Sequence, residues 1–168
     1  MKIGKVPENV LKRSILKQIK TKRAEVLVGA GVGEDCAAIA LAPDEVMVLS
    51  TDPITGTTKD IGKWAVMVSA NDIASSGAAV IGMLVCAMLP PDISEAALKD
   101  AMQEIEIPCE ELNIQVVGGH TEITDAVTRP ILTMTGIGKV KEDKLLATGG
   151  AKPGQEIVVT KWIGLEGT

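Results

Sequence analysis

Two apolar segments of the chain are separated by only four residues, and this spacing limits the possible folds more than any other feature of the sequence. Cys36–Leu41 and Val46–Thr51 are predicted strands. The connection Ala42-Pro-Asp-Glu45 predicts a hairpin with a type I turn and Pro43 at its second position. Because so short a connection joins antiparallel strands, we expect a mixed or antiparallel sheet rather than a purely parallel one.

Helices and further strands follow the hairpin, and most of them carry a recognisable start or stop signal. The remaining predicted elements are an amphipathic helix over Pro7–Lys20, a helix from the N-cap Asp60 to Ser76 that Gly77 ends, a strand Val80–Leu89, a helix from a capping box at Asp92 and Glu95 toward Leu112 that Pro108 kinks or breaks, and strands at Ile114–Val117, Pro130–Val140 and Glu156–Thr160.

Composition excludes some function classes. The chain has two Trp and no Phe or Tyr, so its core must be aliphatic, and it lacks the aromatic platforms on which single-stranded nucleic acids stack. A net charge of −5 also argues against a nucleic-acid partner.

The charge is unevenly distributed along the chain, because residues 1–25 carry eight Lys or Arg and two Asp or Glu. This basic arm either helps to neutralise a phosphate ligand or is a solvated helix face.

Cysteines and apolar runs indicate a cytoplasmic protein without a membrane segment. Cys36, Cys86 and Cys109 are far apart, and no CxxC pair predicts a disulfide framework or a zinc ribbon. The apolar run Ala78–Leu89 is too short to span a bilayer, and no signal-peptide pattern precedes it.

Acidic or polar groups follow several predicted elements. Asp35 closes the glycine turn Gly29–Gly33, Asp52 ends a strand, Asn71 and Asp72 interrupt an apolar helix, and the segment 118–122 (Gly-Gly-His-Thr-Glu) follows another strand. Magnesium takes one or two carboxylates together with water and phosphate oxygens, so these groups predict a magnesium–phosphate site if they converge. Each also has a structural alternative as a cap, a turn former or a core partner. No P-loop or Rossmann glycine turn is present in the required context.

Five motifs in this order resemble the N-terminal domain of the aminoimidazole ribonucleotide (AIR) synthetase superfamily. They are Val32-Gly-Glu-Asp-Cys-Ala-Ala-Ile39, Ser50-Thr-Asp-Pro53, Ala70-Asn-Asp-Ile-Ala74 with Gly77-Ala78, Gly118-Gly-His-Thr-Glu122 and Thr135-Gly-Ile-Gly138. The superfamily includes selenophosphate synthetase, thiamine-monophosphate kinase and the hydrogenase-maturation dehydratase. The resemblance spans residues 26–167.

The resemblance implies an α/β (α+β) fold with a mainly antiparallel sheet and helices on one face, pairing with a second copy into a β-barrel in a homodimer. It implies ATP and Mg²⁺ as cofactors and a small-molecule or protein-terminus substrate that is activated by phosphoryl transfer. Residues 1–25 would be a basic arm and helix, 26–160 the ATP-binding domain, and 161–168 the start of a linker to a C-terminal domain.

The same resemblance assigns the site residues. Asp35, Asp52 and Asp72 match metal-binding positions, and His120, in the Gly-Gly-His motif, is the catalytic candidate. The positions that match nucleotide-binding ones are Gly29, Gly31, Gly33, Thr51, Asn71, Gly118, Gly119 and Thr121.

His120 departs from the pattern of the kinase-like members, several of which have Asp there. A neutral imidazole is a poor magnesium ligand, so His120 contacts metal, phosphate or neither, or carries a proton near neutral pH. Two other functions stay open. One is a non-catalytic dimerisation or regulatory module that keeps the fold, and the other is thiamine-monophosphate kinase itself, which His120 argues against.

Overall fold

The computed structural model describes residues 8–10, 12, 26–28, 31–34 and 36–159, which form a mixed sheet with helices packed against it. The elements are, in chain order, α1 Glu8–Val10, β1 Val26–Val28, β2 Cys36–Ala42, β3 Glu45–Ile54, α2 Ile61–Ser75, β4 Ala79–Leu89, α3 Glu95–Glu111, β5 Gln115–Ile123 and β6 Ile131–Lys141. Short 3-10 helices follow at Glu142–Lys144 and Thr148–Gly150.

The sheet that the described residues form has six strands in the order β1-β2-β3-β6-β4-β5. All neighbouring pairs are antiparallel except β4 and β5, which are parallel because α3 carries the chain back between them. The predicted hairpin of β2 and β3 is confirmed, with Ala42 opposite Glu45. At this turn Lys141 donates a hydrogen bond to Asp44, and this bond and the lysine's charge lower the pKa of Asp44.

The side chains of the inner strands alternate between two environments. On one side, here called the helix face, they are buried beneath α2 and α3, as the prediction of helices on one face requires. The core on this face is aliphatic or sulfur-containing and includes Val46, Val48, Met83, Val85, Leu132 and Met134 from the strands and Ala65, Val66, Ile73, Ile105 and Cys109 from the helices. The intervening residues form the open face, defined here as Ala37, Ile39, Met47, Leu49, Thr51, Leu84, Cys86, Thr133, Thr135 and Ile137.

Two glycines of β6 allow α2 to lie very close to the sheet. A Cβ atom at Gly138 would be 2.3 Å from Cγ2 of Ile73, and one at Gly136 would be 3.0 Å from Cγ1 of the same side chain. Ile73 is fully buried, so it has little room to move away. The glycines therefore set the spacing between α2 and the strands beneath it.

The first turn of α2 is held by α3 rather than by the predicted N-cap. The helix begins directly after Asp60, as expected, but Asp60 has a φ of 53° and makes no side-chain capping hydrogen bond. The Gly62 N–H donates instead to Oε2 of Glu104 at 3.0 Å. A Cβ atom at Gly62 would lie 2.5 Å from the carbonyl oxygen of Ala101, so the two helices touch at this glycine.

The prediction for α3 is wrong about its N-cap, and of the two outcomes predicted at Pro108, a kink or a break, the break does not occur. The N-cap is Ser94, whose hydroxyl accepts a hydrogen bond from the Ala97 N–H at 3.1 Å, and not Asp92 of the expected capping box. The helix also continues past Pro108 instead of breaking there. Pro108 and Cys109 are buried against the core, and this packing holds the last turn although the proline cannot donate a hydrogen bond.

Two strand predictions also need correction. The strand predicted at Ile114–Val117 is β5, which continues through the paired glycines to Ile123 because each of these residues pairs with β4. Glu156–Thr160 was predicted as a strand, but its described part, 156–159, is not one. Ile157 and Val158 are almost fully exposed, and no described strand pairs with them.

The ends of other predicted elements agree with the structure or lie outside the described residues. Gly77 ends α2 with a φ of 80°, and its N–H donates to the Ala74 carbonyl. Strand β4 matches the prediction to within one residue. Of the helix predicted over Pro7–Lys20, only α1 and Lys12 are described. The longest described helices, α2 and α3, fall short of what a membrane crossing requires.

We expect Gly62→Ala to destabilise the fold by about 1–3 kcal/mol, because its methyl group would meet the backbone of α3. Alanine favours a helix over glycine by about 1 kcal/mol, so the clash must exceed this gain to be seen. Urea unfolding measures the change. The matched control is Gly56→Ala, where a Cβ atom has no neighbour within 4 Å. Equal stabilities of the two variants would contradict the close helix contact.

Candidate functional site

The candidate site is centred on Asp72, a half-buried residue near the end of α2. Ser50 Oγ of β3 donates a hydrogen bond to Asp72 Oδ2 at 2.8 Å. The main-chain carbonyl of Asp72 accepts from Ser75 Oγ at 2.7 Å and from Cys36 Sγ at 3.2 Å. Asp72 is thus held at its carboxylate by β3 and at its main-chain carbonyl by β2 and by its own helix.

Asp52 lies on the same side of the sheet as Ser50. The two residues are two apart on β3, so both point to the helix face, separated by roughly 7 Å along the strand. Asp52 is half-buried, opposite the buried Met134 of β6. Ser50 contacts Asp72 directly, and Asp52 follows Ser50 on the same face of β3, so the convergence of the two carboxylates on one metal stays a prediction.

Thr51, between these two residues, points to the open face. Its hydroxyl lies 2.9 Å from that of Thr135 on β6, and either oxygen can be the donor. A shallow depression of about 280 Å³ begins beside this pair and is lined by Glu34, Cys36, Ala37, Leu49, Ser50, Thr51 and Thr135. Hydroxyl and carboxylate oxygens therefore surround its polar end.

Glu34 joins this depression to a second one. Thr148 Oγ1 donates to Glu34 Oε1 at 2.7 Å and also lies 3.4 Å from the Gly33 carbonyl oxygen. Leu146 N–H, two residues earlier, donates to the Ser76 carbonyl at 3.0 Å. The segment after β6 thus crosses the end of α2 and fixes the loop that carries Glu34.

The predicted glycine turn is described only in part. Gly31 directly precedes a turn at Val32 and Gly33, and Gly33 has a left-handed φ of 76° with no atom within 4 Å of a Cβ built there. Gly29 and Asp35 lie outside the described residues. Asn71 is exposed on α2, directly before Asp72.

The residues of the fourth predicted group lie elsewhere. Asp52 pairs with Met134, Met134 with Val85, and Val85 with Gly119, so three strand spacings of roughly 14 Å in total separate Asp52 from Gly119. The sheet within one chain therefore does not bring the β5 residues to the carboxylates. Thr121 is exposed, opposite Ala87 of β4.

His120 is further separated because it points to the opposite face. It pairs with Cys86 on the open face, whereas Asp52 is on the helix face. His120 Nε2 is 3.5 Å from Glu122 Oε2, and both side chains are more than half exposed. The sequence predicted that residues 118–122 follow a strand, and this is wrong, because they continue β5.

Gly118 and Gly119 are a pair that is typical of turns, although here both lie within β5. Their φ values are 151° and 146°, which favour glycine. A Cβ atom at Gly119 would lie 1.9 Å from the Val85 carbonyl oxygen, whereas one at Gly118 would meet only Leu84 Cδ2, at 3.6 Å. The pair allows β5 to approach β4 closely and does not reverse the chain.

Ser50, Thr135 and Thr148 are site residues that the sequence prediction did not assign. Ser50 had a usable signal, because it is a hydroxyl at a buried position in an otherwise apolar strand. Thr148 had none, since its contact with Glu34 joins residues 114 positions apart. Cys109 is outside the site, and burial raises the pKa of its thiol, which makes it unreactive.

The donor chemistry of the site suits a hard cation. Asp52 and Asp72 provide two carboxylates, the number that magnesium commonly takes from a protein when water and phosphate complete its shell. Within the residues that the structure describes, no group of three or more His, Cys, Asp or Glu side chains is arranged to hold a metal by itself. Two carboxylates are fewer than a metal's full shell, so a metal held by Asp52 and Asp72 would need oxygens from water or phosphate as well.

Comparison with known proteins identifies the family. The model of the AIR synthase related protein N-terminal domain matches residues 33–140, which include β2 to β6 and the candidate site. This chain belongs to that family. The resemblance inferred from the five sequence motifs is thereby confirmed.

Relatives of this AIR synthase related chain include phosphoryl-transfer enzymes. The selenide, water dikinase of Methanococcus maripaludis is 29% identical over 94% of this chain and 45% of its own length. The thiamine-monophosphate kinase of Escherichia coli K12 is 30% identical over 85% of this chain and 44% of its own length. The chain spans about half the length of the relatives it matches.

Solved structures confirm the fold. AaThiL complexed with AMPPCP and TMP superposes with a TM-score of 0.63 at 20% identity, covering 71% of this chain and 40% of that chain. The HypE–HypF complex gives a TM-score of 0.55 at 24% identity, covering 61% of this chain and 35% of that chain. The AIR synthetase-like architecture expected from the sequence is therefore correct.

We expect Gly119→Ala to destabilise the domain by about 1–3 kcal/mol, because its methyl group would collide with the Val85 carbonyl. Gly118→Ala is the matched control, with a similar φ and only an ordinary contact of the new atom with Leu84 Cδ2 at 3.6 Å. Urea unfolding compares the two, and amide hydrogen exchange in β5 locates the damage. If both variants lose the same stability, the strained φ rather than the contact with β4 is what requires glycine.

Proposed function

We propose that this chain is the ATP-binding domain of a magnesium-dependent enzyme that activates a small substrate by phosphoryl transfer. The observation that carries the proposal is the pair of half-buried carboxylates, Asp52 and Asp72, beside Ser50 on the helix face. Family membership and two phosphoryl-transferring relatives support the same class of reaction.

The proposed roles follow the chemistry of each side chain. Asp52 and Asp72, with Asp35, would hold magnesium, which when bound neutralises charge on the phosphates of ATP. Asp35 comes directly after Glu34, which Thr148 holds at the depression beside Thr51. The glycine turn with Gly29, Gly31 and Gly33 would offer backbone N–H groups to phosphate. Asn71, exposed beside Asp72, would contact the same ligand.

We propose residues 26–160 as the nucleotide-binding domain and 161–168 as the start of a linker. Phosphoryl transfer depends on holding the acceptor in line with the transferred phosphate. Since the chain spans about half of its relatives, we assign part of the acceptor pocket to a further domain.

A homodimer through the open face is part of the proposal. This face presents apolar side chains from four adjacent strands, among them Leu49, Leu84 and Ile137, with no described helix covering it. His120 lies on the same side, so in such a dimer it would face the other copy. The roles proposed for His120 and Gly118 at ATP therefore depend on this pairing, whereas Gly119 and Thr121 lie opposite the helix-face residues Val85 and Ala87.

The deciding test is Asp52→Asn and Asp72→Asn. We expect each variant to lose magnesium-dependent ATP binding, measured by calorimetry with and without Mg²⁺, because each removes a charged ligand oxygen. Without metal, removing a carboxylate from an acidic cluster relieves repulsion, so stability should rise or stay level. Asp92→Asn, an exposed aspartate outside the site, is the control.

An unfolded variant would identify its carboxylate as a structural partner instead. A wild-type chain that binds no nucleotide with Mg²⁺ would favour the non-catalytic module.

We expect the chain to be a dimer at micromolar concentration by light scattering, and Ile137→Glu to make it a monomer. The reason is that the open face is too apolar for a sheet exposed to water. The control is Ile107→Glu, on an exposed position of α3. A monomeric wild-type chain would contradict the proposed dimer.

A further inference from the structure

We propose that Ser50 is a positioning residue that fixes which oxygen of Asp72 is presented to the metal. This inference rests on the proposed magnesium site and assigns a role within it to a residue that does not itself bind the metal.

The hydrogen bond between the two side chains is specific. Ser50 Oγ is 2.8 Å from Asp72 Oδ2, in the direction that makes the serine the donor. Ser50 is only 4% exposed, so its hydroxyl has no easy exchange with solvent. One carboxylate oxygen is thus committed to the sheet, and Oδ1 remains for a ligand.

The peptide of Asp72 is held as well. Its carbonyl oxygen accepts from Cys36 Sγ at 3.2 Å and from Ser75 Oγ at 2.7 Å. With the backbone fixed by β2 and by α2, the remaining freedom of Asp72 is rotation of its side chain. The Ser50 hydroxyl restrains that rotation.

The position of Ser50 follows from the register of the sheet. Ser50 pairs with Gly136, one of the two glycines over which α2 lies. The same close approach that glycine allows brings Asp72 of α2 within hydrogen-bonding distance of β3. A larger side chain at Gly136 would separate the two partners.

Outer partners of metal ligands commonly change metal affinity 10–100-fold when they are removed. We therefore expect Ser50→Ala to weaken Mn²⁺ binding about 10–100-fold, with Mn²⁺ as the spectroscopic probe for the magnesium site. Electron paramagnetic resonance of free Mn²⁺ gives the affinity in the absence and presence of ATP. Ser50→Thr, which keeps the hydroxyl, should restore most of it.

Two controls separate positioning from simple loss of a hydroxyl. Ser69→Ala removes a buried hydroxyl from α2 that contacts the Met134 carbonyl and not Asp72. Ser76→Ala removes a second buried hydroxyl, which donates to the Ile73 carbonyl and not to Asp72. Both should keep the wild-type Mn²⁺ affinity. Equal losses in Ser50→Ala and Ser69→Ala would overturn the proposal.

A second measurement tests Ser50 even if the site proves not to bind nucleotide. Crystal structures of the wild-type chain and of Ser50→Ala compare the Asp72 side chain directly. We expect its carboxylate to turn, or to occupy more than one rotamer, in the variant. An unchanged carboxylate would overturn the positioning role. A turned carboxylate in a chain that binds no metal would confirm the role and refute the proposed function.

Discussion

The contact between α2 and the glycines of β6 is the constraint on which the rest of the site depends. Because Gly136 and Gly138 have no side chains, the helix packs its Ile73 directly on the sheet. This short distance lets a polar residue of the helix reach a polar residue of β3. The same geometry that packs an aliphatic core therefore also assembles the Asp72–Ser50 pair.

Much of the fold could be predicted from the sequence because its signals are local. A four-residue connection fixed the hairpin, apolar runs indicated β4 and β6, and Gly77 marked the end of α2. The failures concern long-range partners. Asp60 was expected to cap α2, but Glu104 provides the acceptor, and paired glycines that resemble a turn belong to a strand. Pairing with another element decided each case, and a single sequence does not display such pairing.

In the candidate site, too, local signals identified some residues, while long-range pairing decided where the others lie. Asp72 was singled out because a carboxylate in an apolar helix needs a partner, and the structure provides Ser50 as that partner. The β5 residues were grouped with them on motif order alone, yet the strand order places β6 and β4 in between. Proximity in a sheet depends on strand order, which the motifs do not specify. Thr148 is the opposite case: it belongs to no motif and is distant from Glu34 in the sequence, yet the two side chains are hydrogen-bonded.

The two-residue turn at Pro43 and Asp44 has a consequence for how this family can change over evolution. It sets the register of β3, and side chains in a strand alternate from one face to the other. One inserted residue that shifted this register would turn Ser50 and Asp52 toward the open face and Thr51 toward α2. Insertions of variable length are therefore better tolerated in the exposed connection between β5 and β6, where no site residue changes sides. The length of the hairpin turn, more than the identity of its residues, thus keeps Ser50 and Asp52 on the helix face of β3.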